Sequence, residues 1–285
     1  ASARMVAADF GSIGLNWVSR DGQFRQLGQA PSYRGEKTLS ASSNFELGKL
    51  SPQSVGLTMP LTVNLGWSSI SPELLTGSDI AGEHLTGLRR PKSNNSTVSL
   101  SAKRTRPGGN LLLRSLVNPL TVYGRLSSSS TTTEYTQASN NSWDVTATWA
   151  PVMRRSSRSL GLSGLVSKLP AWLRDTEGGN AVAVGRYNLM PATVRFSSQL
   201  QRTAGDAVAF TAPINRLSDT ILRPTTTLQH LWRNQASMTW NPIGMLNAGL
   251  GWQSTRDLRE YPDSTAIGRL AGASRRTAAG VDVGV

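Results

Sequence analysis

From Val55 to Ser68 the chain alternates without interruption. Val55, Leu57, Met59, Leu61, Val63, Leu65 and Trp67 hold the odd positions, and Gly56, Thr58, Pro60, Thr62, Asn64, Gly66 and Ser68 hold the even ones. Successive side chains of a strand point to opposite faces, so this segment predicts one long strand with a fully apolar face and a small, polar one. A soluble sandwich strand usually runs about five or six residues, whereas a lipid-spanning strand takes about 9–11 with its apolar side outward. The expectation is an outer-membrane barrel strand: the seven odd positions meet lipid, and Thr58, Thr62 and Asn64 face the lumen.

The same period recurs along the chain and predicts about ten strands in all. Ile13, Leu15 and Trp17 alternate with Gly14 and Asn16, and Leu39, Ala41, Phe45 and Leu47 with Ser40, Ser42, Asn44 and Glu46. Val98, Leu100 and Ala102 give a weaker case, followed by Leu120, Val122 and Leu126, where the pattern leaves the face of Tyr123 open. Val145 and Ala147 stand between Trp143 and Trp149, an apolar stripe bracketed by indoles as in an interfacial aromatic girdle. Val194, Phe196 and Leu200 oppose Thr193, Arg195, Ser197 and Gln199; Trp232, Ala236, Met238 and Trp240 follow, with Arg233 on the other parity. Asn241-Pro242-Ile243-Gly244 reads as a turn joining Trp240 to a strand carrying Leu246, Ala248, Leu250 and Trp252. A last strand runs from about Thr277 through Ala279, Val281, Val283 and Val285. Trp143, Trp149, Trp232, Trp240 and Trp252 are the expected girdle, and Arg195 and Arg233 the expected lumen cations.

Long connections at 18–36, 69–94, 151–188 and 203–227 suit a barrel, which carries long loops on one rim, better than a compact soluble domain. Within the third, Leu162, Leu165, Val166, Leu169 and Trp172 fall at helical spacing and predict a short helix near 160–173 packed on the sheet. The fold class expected is all-β: an antiparallel up-and-down transmembrane β-barrel wall. Its strands form a curved open sheet or partial barrel over residues 1–285, with no separate domain boundary.

Composition agrees with a wall more than with a packed core. Only 38% of the residues are hydrophobic, and no apolar run approaches the roughly 18 residues of a membrane helix, so any span is β. A mildly negative mean hydropathy fits a barrel whose lumen side stays wet. Thirty Lys and Arg against seventeen Asp and Glu leave a charge of +13, which raises the question of nucleic acid. The basic residues are scattered, among them Arg20, Arg25, Arg34, Arg89, Arg90, Arg154, Arg155 and Arg158, and lack interleaved stacking aromatics. Nucleic acid is therefore not an expected partner, and lipid phosphates or solvent are.

Candidate chemistry is sparse. There is no cysteine, which removes disulfides, thiolate catalysis and Cys-based zinc sites. His84 and His230 lie in separate segments without a partner at catalytic or metal spacing, and His230 reads as a polar residue beside Trp232. Neither a Gly-x-Ser-x-Gly elbow nor a P-loop occurs, and Gly249-Leu250-Gly251 sits within a strand with no helix after it. Asp257, Glu260 and Asp263 depart from the ligand spacing of a calcium loop and read as a solvated acidic loop. No enzyme, metal or cofactor is expected. The alternating run stops at Gly284-Val285, which leads to the expectation of an internal piece of a longer chain.

Ala8-Asp9-Phe10-Gly11, Leu47-Gly48-Lys49-Leu50 and Val55 to Pro60 resemble the SprA/Sov family, the giant outer-membrane translocon of type IX secretion and gliding motility. Pro60 within the strand, Ser68 to Ile80, Leu189-Met190-Pro191 leading into Val194-Arg195-Phe196, and Leu231 to Arg256 look like further family segments in the same order. The resemblance implies a section of a very long single-chain barrel whose lumen passes folded secreted cargo, with an accessory barrel and a plug as partners. The residues themselves imply only a barrel wall in contact with outer-membrane lipid. A porin or transporter barrel for small solutes shares every strand feature, and a surface adhesive β protein would instead pack its apolar faces on a second sheet.

Overall fold

The computed structural model describes residues 1–7, 9–22, 34–72, 86–106, 110–153, 157–158, 170–171, 187–188, 190–214, 221–243, 246–259 and 273–284. Of the helix expected near 160–173, all but 170 and 171 fall outside these residues, as do His84, Glu260, Asp263 and the Gly244 corner.

The chain is all-β. Its strands are β1 (Ser2–Ala7), β2 (Gly11–Arg20), β3 (Arg34–Glu46), β4 (Leu57–Thr58), β5 (Pro60–Pro72), β6 (Lys92–Arg104), β7 (Leu120–Thr132) and β8 (Thr136–Trp149). They continue as β9 (Ser157–Arg158), β10 (Tyr187–Asn188), β11 (Thr193–Phe210), β12 (Ile221–Ile243), β13 (Leu246–Asp257) and β14 (Ala273–Gly284). Twelve form one antiparallel sheet in the order β1-β2-β3-β5-β6-β7-β8-β11-β12-β13-β14, with β4 paired to β6; β9 and β10 pair apart from it. The order is an up-and-down meander that does not close on itself. A 3₁₀ turn at Leu47–Leu50 and a π turn at Leu113–Val117 punctuate it.

The single strand expected over Val55–Ser68 is divided. Val55 belongs to a turn, its N–H donating to Pro52 O at 2.9 Å, and Gly56 takes a φ of +62°, which turns the chain into β4. The break before β5 follows from Pro60, which brings no N–H and so occupies the first position of a strand. Glu46 fills the gap: its Oε1 accepts the Met59 N–H at 2.6 Å, while Met59 O accepts the Leu47 N–H at 2.9 Å.

Several strands also exceed their sequence patterns. β11 runs 18 residues and β12 runs 23, so the expected 203–227 loop contracts to the segment between Phe210 and Ile221. β12 and β13 are neighbours as expected, but β12 continues past Trp240 to Ile243, carrying Pro242 at its end. β1, which alternates too weakly to be predicted, pairs with β2 from Ser2↔Asn16 to Ala7↔Gly11.

The chain falls into two compact units, one of residues 1–106, 121–146 and 200–231, the other of 107–120, 147–199 and 232–285. Among the described residues the one buried apolar side chain is Leu231. Among the described residues the strand alternation therefore builds no hydrophobic interior. It separates two surfaces.

Candidate functional site

In the first unit the registers assemble the alternating residues into rows, because directly paired residues of antiparallel strands share a face. One face carries Trp17-Leu39-Trp67, then Leu15-Ala41-Leu65, then Ile13-Ser43-Val63-Val98-Leu126, then Gly11-Phe45-Leu61-Leu100. The lipid-facing residues proposed from the sequence, Leu61, Val63, Leu65 and Trp67, thus share one surface; Leu57 sits opposite Arg104 in β4, and Met59 between β4 and β5. These side chains are half-buried by their neighbours or exposed, with Leu15 and Leu65 close to half exposed at 48% and 49%. Trp17 and Trp67 stack across Leu39, ring centroids 6.2 Å apart and planes 7° apart.

The band crosses the strands obliquely. Trp67 and Leu65 of β5 are paired with Asn94 and Ser96 of β6, and those with Ser130 and Ser128 of β7, so on β6 and β7 the apolar edge drops to Val98 and Leu126. From β2 to β7 the edge steps by four residues along the chain while crossing four strand spacings. With rises of about 3.4 Å and spacings of about 4.8 Å, that is an inclination of about 35°. Strands of membrane barrels tilt by about 35–45°.

The opposite face is built from small polar residues. Its rows are Asn16-Ser40-Gly66-Asn95-Ser129, Gly14-Ser42-Asn64-Thr97-Ser127 and Ser12-Asn44-Thr62-Ser99-Arg125. Thr62 donates to Asn44 Oδ1 at 2.7 Å, and the Asn95 amide lies over Gly66, where a Cβ would collide with it. The proposed lumen residues Thr62 and Asn64 both belong here. Tyr123, whose face the sequence left open, pairs with Ser101 on this side.

In the second unit, Thr193 and Thr239 hydroxyls meet at 2.6 Å and the Trp232 indole N–H donates to Ser198 Oγ at 2.9 Å. Alternation along β11 and β12 then places Arg195 and Arg233, both exposed, on the Thr193–Thr239 side. Phe196 and Trp240 lie on the Trp232 side. Trp149 donates to Ser115 O of the π turn at 3.0 Å. On β13 and β14, Leu250 pairs with Val281 and Trp252 with Ala279, while Gly251 pairs with Gly280 on the other face.

Two polar clusters escaped the sequence reading. Arg89 is buried, its guanidinium 3.6 Å from the Phe210 ring centroid, and it donates to Glu134 O and Ala212 O. Its own N–H donates to Pro213 O at 2.9 Å. It therefore ties its loop to the β7–β8 turn and the end of β11. Only the aromatic at Phe210 hinted at a stacking partner, and 120 intervening positions gave no periodic link. Asp257, expected in a solvated loop, is buried instead: Arg259 Nε and Nη2 pair with its carboxylate at 2.8–3.1 Å, and the Arg259 N–H adds a third donor. Next to it the β13–β14 register shifts between Thr255 and Arg256, where Arg275 of β14 is the extra residue.

Among the described residues no three His, Asp or Glu side chains come together as a metal site. No family model matches the chain, and no curated protein matches it.

Proposed function

We propose that this chain forms part of the wall of a bacterial outer-membrane β-barrel, its apolar band against lipid and its polar face against a water-filled conduit. The observation that carries the reading is the oblique, exposed apolar band backed by a face of Ser, Thr, Asn and Gly. An exposed apolar surface of this extent is unfavourable in water and favourable in hydrocarbon. Strand ladders satisfy the backbone polar groups that hydrocarbon cannot.

The finer reading, resting on the resemblance, is a non-enzymatic segment of a SprA-like protein-conducting translocon of type IX secretion and gliding motility. In that setting the partners are outer-membrane lipid, secreted cargo, and an accessory barrel and plug. The polar rows suit such a role: small hydroxyl and amide side chains hydrate well and offer a passing protein little apolar surface to adhere to. The conduit is passive, and energy for transport comes from elsewhere. A porin or transporter barrel for small solutes, which shares the strand features, is the second reading.

Mass spectrometry of detergent-extracted outer membrane tests both levels. Peptides of this chain in a very large polypeptide are the expected result. A product near 285 residues in the same fraction would favour the small barrel, and recovery in the soluble fraction would end the membrane reading.

A further inference from the structure

We infer that the first unit carries a binding groove for a phosphate-bearing lipid headgroup at the point where the apolar band steps down. The inference rests on the wall reading and adds a specific ligand to it. A groove of about 430 Å³ opens there on the apolar face. It is lined by hydrocarbon from Val98, Leu126 and Trp143 and by polar groups from Ser128, Asn141 and Arg202. Hydrocarbon beside hydrogen-bonding groups suits an acyl chain and its headgroup at a bilayer edge.

The polar groups are also available. Ser128 donates to Asn141 Oδ1 at 2.6 Å, which leaves the Asn141 amide N–H groups free to donate outward. Arg202 is exposed and has no ion pair among the described residues. A guanidinium matches a phosphate by two parallel hydrogen bonds, and its positive charge favours a headgroup that carries no choline cation beside that phosphate. Trp143 adds an interfacial ring. Its indole N–H has no acceptor among the described residues, unlike those of Trp149 and Trp232, and the edge of His230 braces it at 6.0 Å between ring centroids.

Charge on the rest of this face points the same way. From β1 to β7 it bears no Asp or Glu, and on β11 Asp206 is the one carboxylate on the Arg202 side, two alternations on. Lys37 and Lys92 flank Ser69 one step beyond the Trp17-Leu39-Trp67 row, both exposed and without an ion pair among the described residues. Basic residues just outside an apolar band face the phosphate level of a bilayer.

The test reconstitutes the native polypeptide that contains these residues into phosphatidylcholine vesicles containing or lacking phosphatidylglycerol, then counts lipids retained after detergent extraction by native mass spectrometry. The wild-type chain is expected to retain phosphatidylglycerol in preference to phosphatidylcholine. Arg202→Gln should lower that retention about fivefold at low salt, the equivalent of roughly 1 kcal/mol for one basic residue at an anionic surface. Arg202→Lys should keep most of it, and added salt should shrink the difference. Equal retention by wild type and Arg202→Gln, in chains that insert normally, would overturn the groove and leave the wall reading standing. Failure of the wild type to enter either vesicle would overturn the wall reading and the groove together.

Discussion

Gly56 sits at φ +62°, and a Cβ there would run into Arg106, so both backbone and space favour the absence of a side chain. Gly56→Ala should cost at least about 1 kcal/mol, read as a lower denaturant midpoint of the folded chain in detergent. Gly66 contrasts with it: the obstacle there is the movable Asn95 amide, so Gly66→Ala should cost less than Gly56→Ala. Arg89 is the residue with most at stake. Arg89→Ala removes a buried stacking cation and its bonds to two carbonyls, and should cost roughly 2–4 kcal/mol in the same titration. Arg89→Lys should recover only part, because an ammonium lacks the planar fork that stacks and donates at once. Arg89 was visible in the sequence only as one of many loop cations. Its role depends on Phe210 and Glu134 arriving beside it, which no local pattern records.

Strand character was legible wherever apolar and polar residues alternate, as in β2, β3 and β5, and the registers place those apolar residues on one face as the period requires. Legibility failed where alternation faded or where one residue overrode it. Pro60 split the most regular run of the chain, since a missing N–H outweighs hydrophobic period in a ladder, and Glu46 supplied the acceptor that made the break tolerable. β11 and β12 outran their patterns because the ladder is made by backbone groups and continues through small and polar residues where a neighbour offers its backbone. The two faces of β5 give a direct test. Leu61→Arg or Val63→Arg, on the apolar face, should each cost about 2–4 kcal/mol for the chain folded in lipid, falling toward the band edges. Thr62→Arg, between them on the polar face, should be tolerated in the same refolding assay. Equal tolerance of all three would remove the assignment of the faces.

For the molecule as a whole, a folded chain of this size with Leu231 as the one buried apolar side chain among its described residues has little to gain from water. It should aggregate in detergent-free buffer and run as a single species in detergent, as size-exclusion chromatography would show; a monodisperse chain without detergent would count against any membrane role. The sequence by itself determined the period, and with it the all-β class, the division into an apolar and a polar face, and the lack of metal or nucleophile motifs, because side-chain direction in a strand is a local property of the backbone. Only the tertiary structure decided register, and register is what inclines the apolar band, brings Trp17 over Trp67 and sets Arg202 with Trp143. Those pairings depend on which strand lies next to which and by how many residues it is shifted, and alternation reads the same under any shift of two.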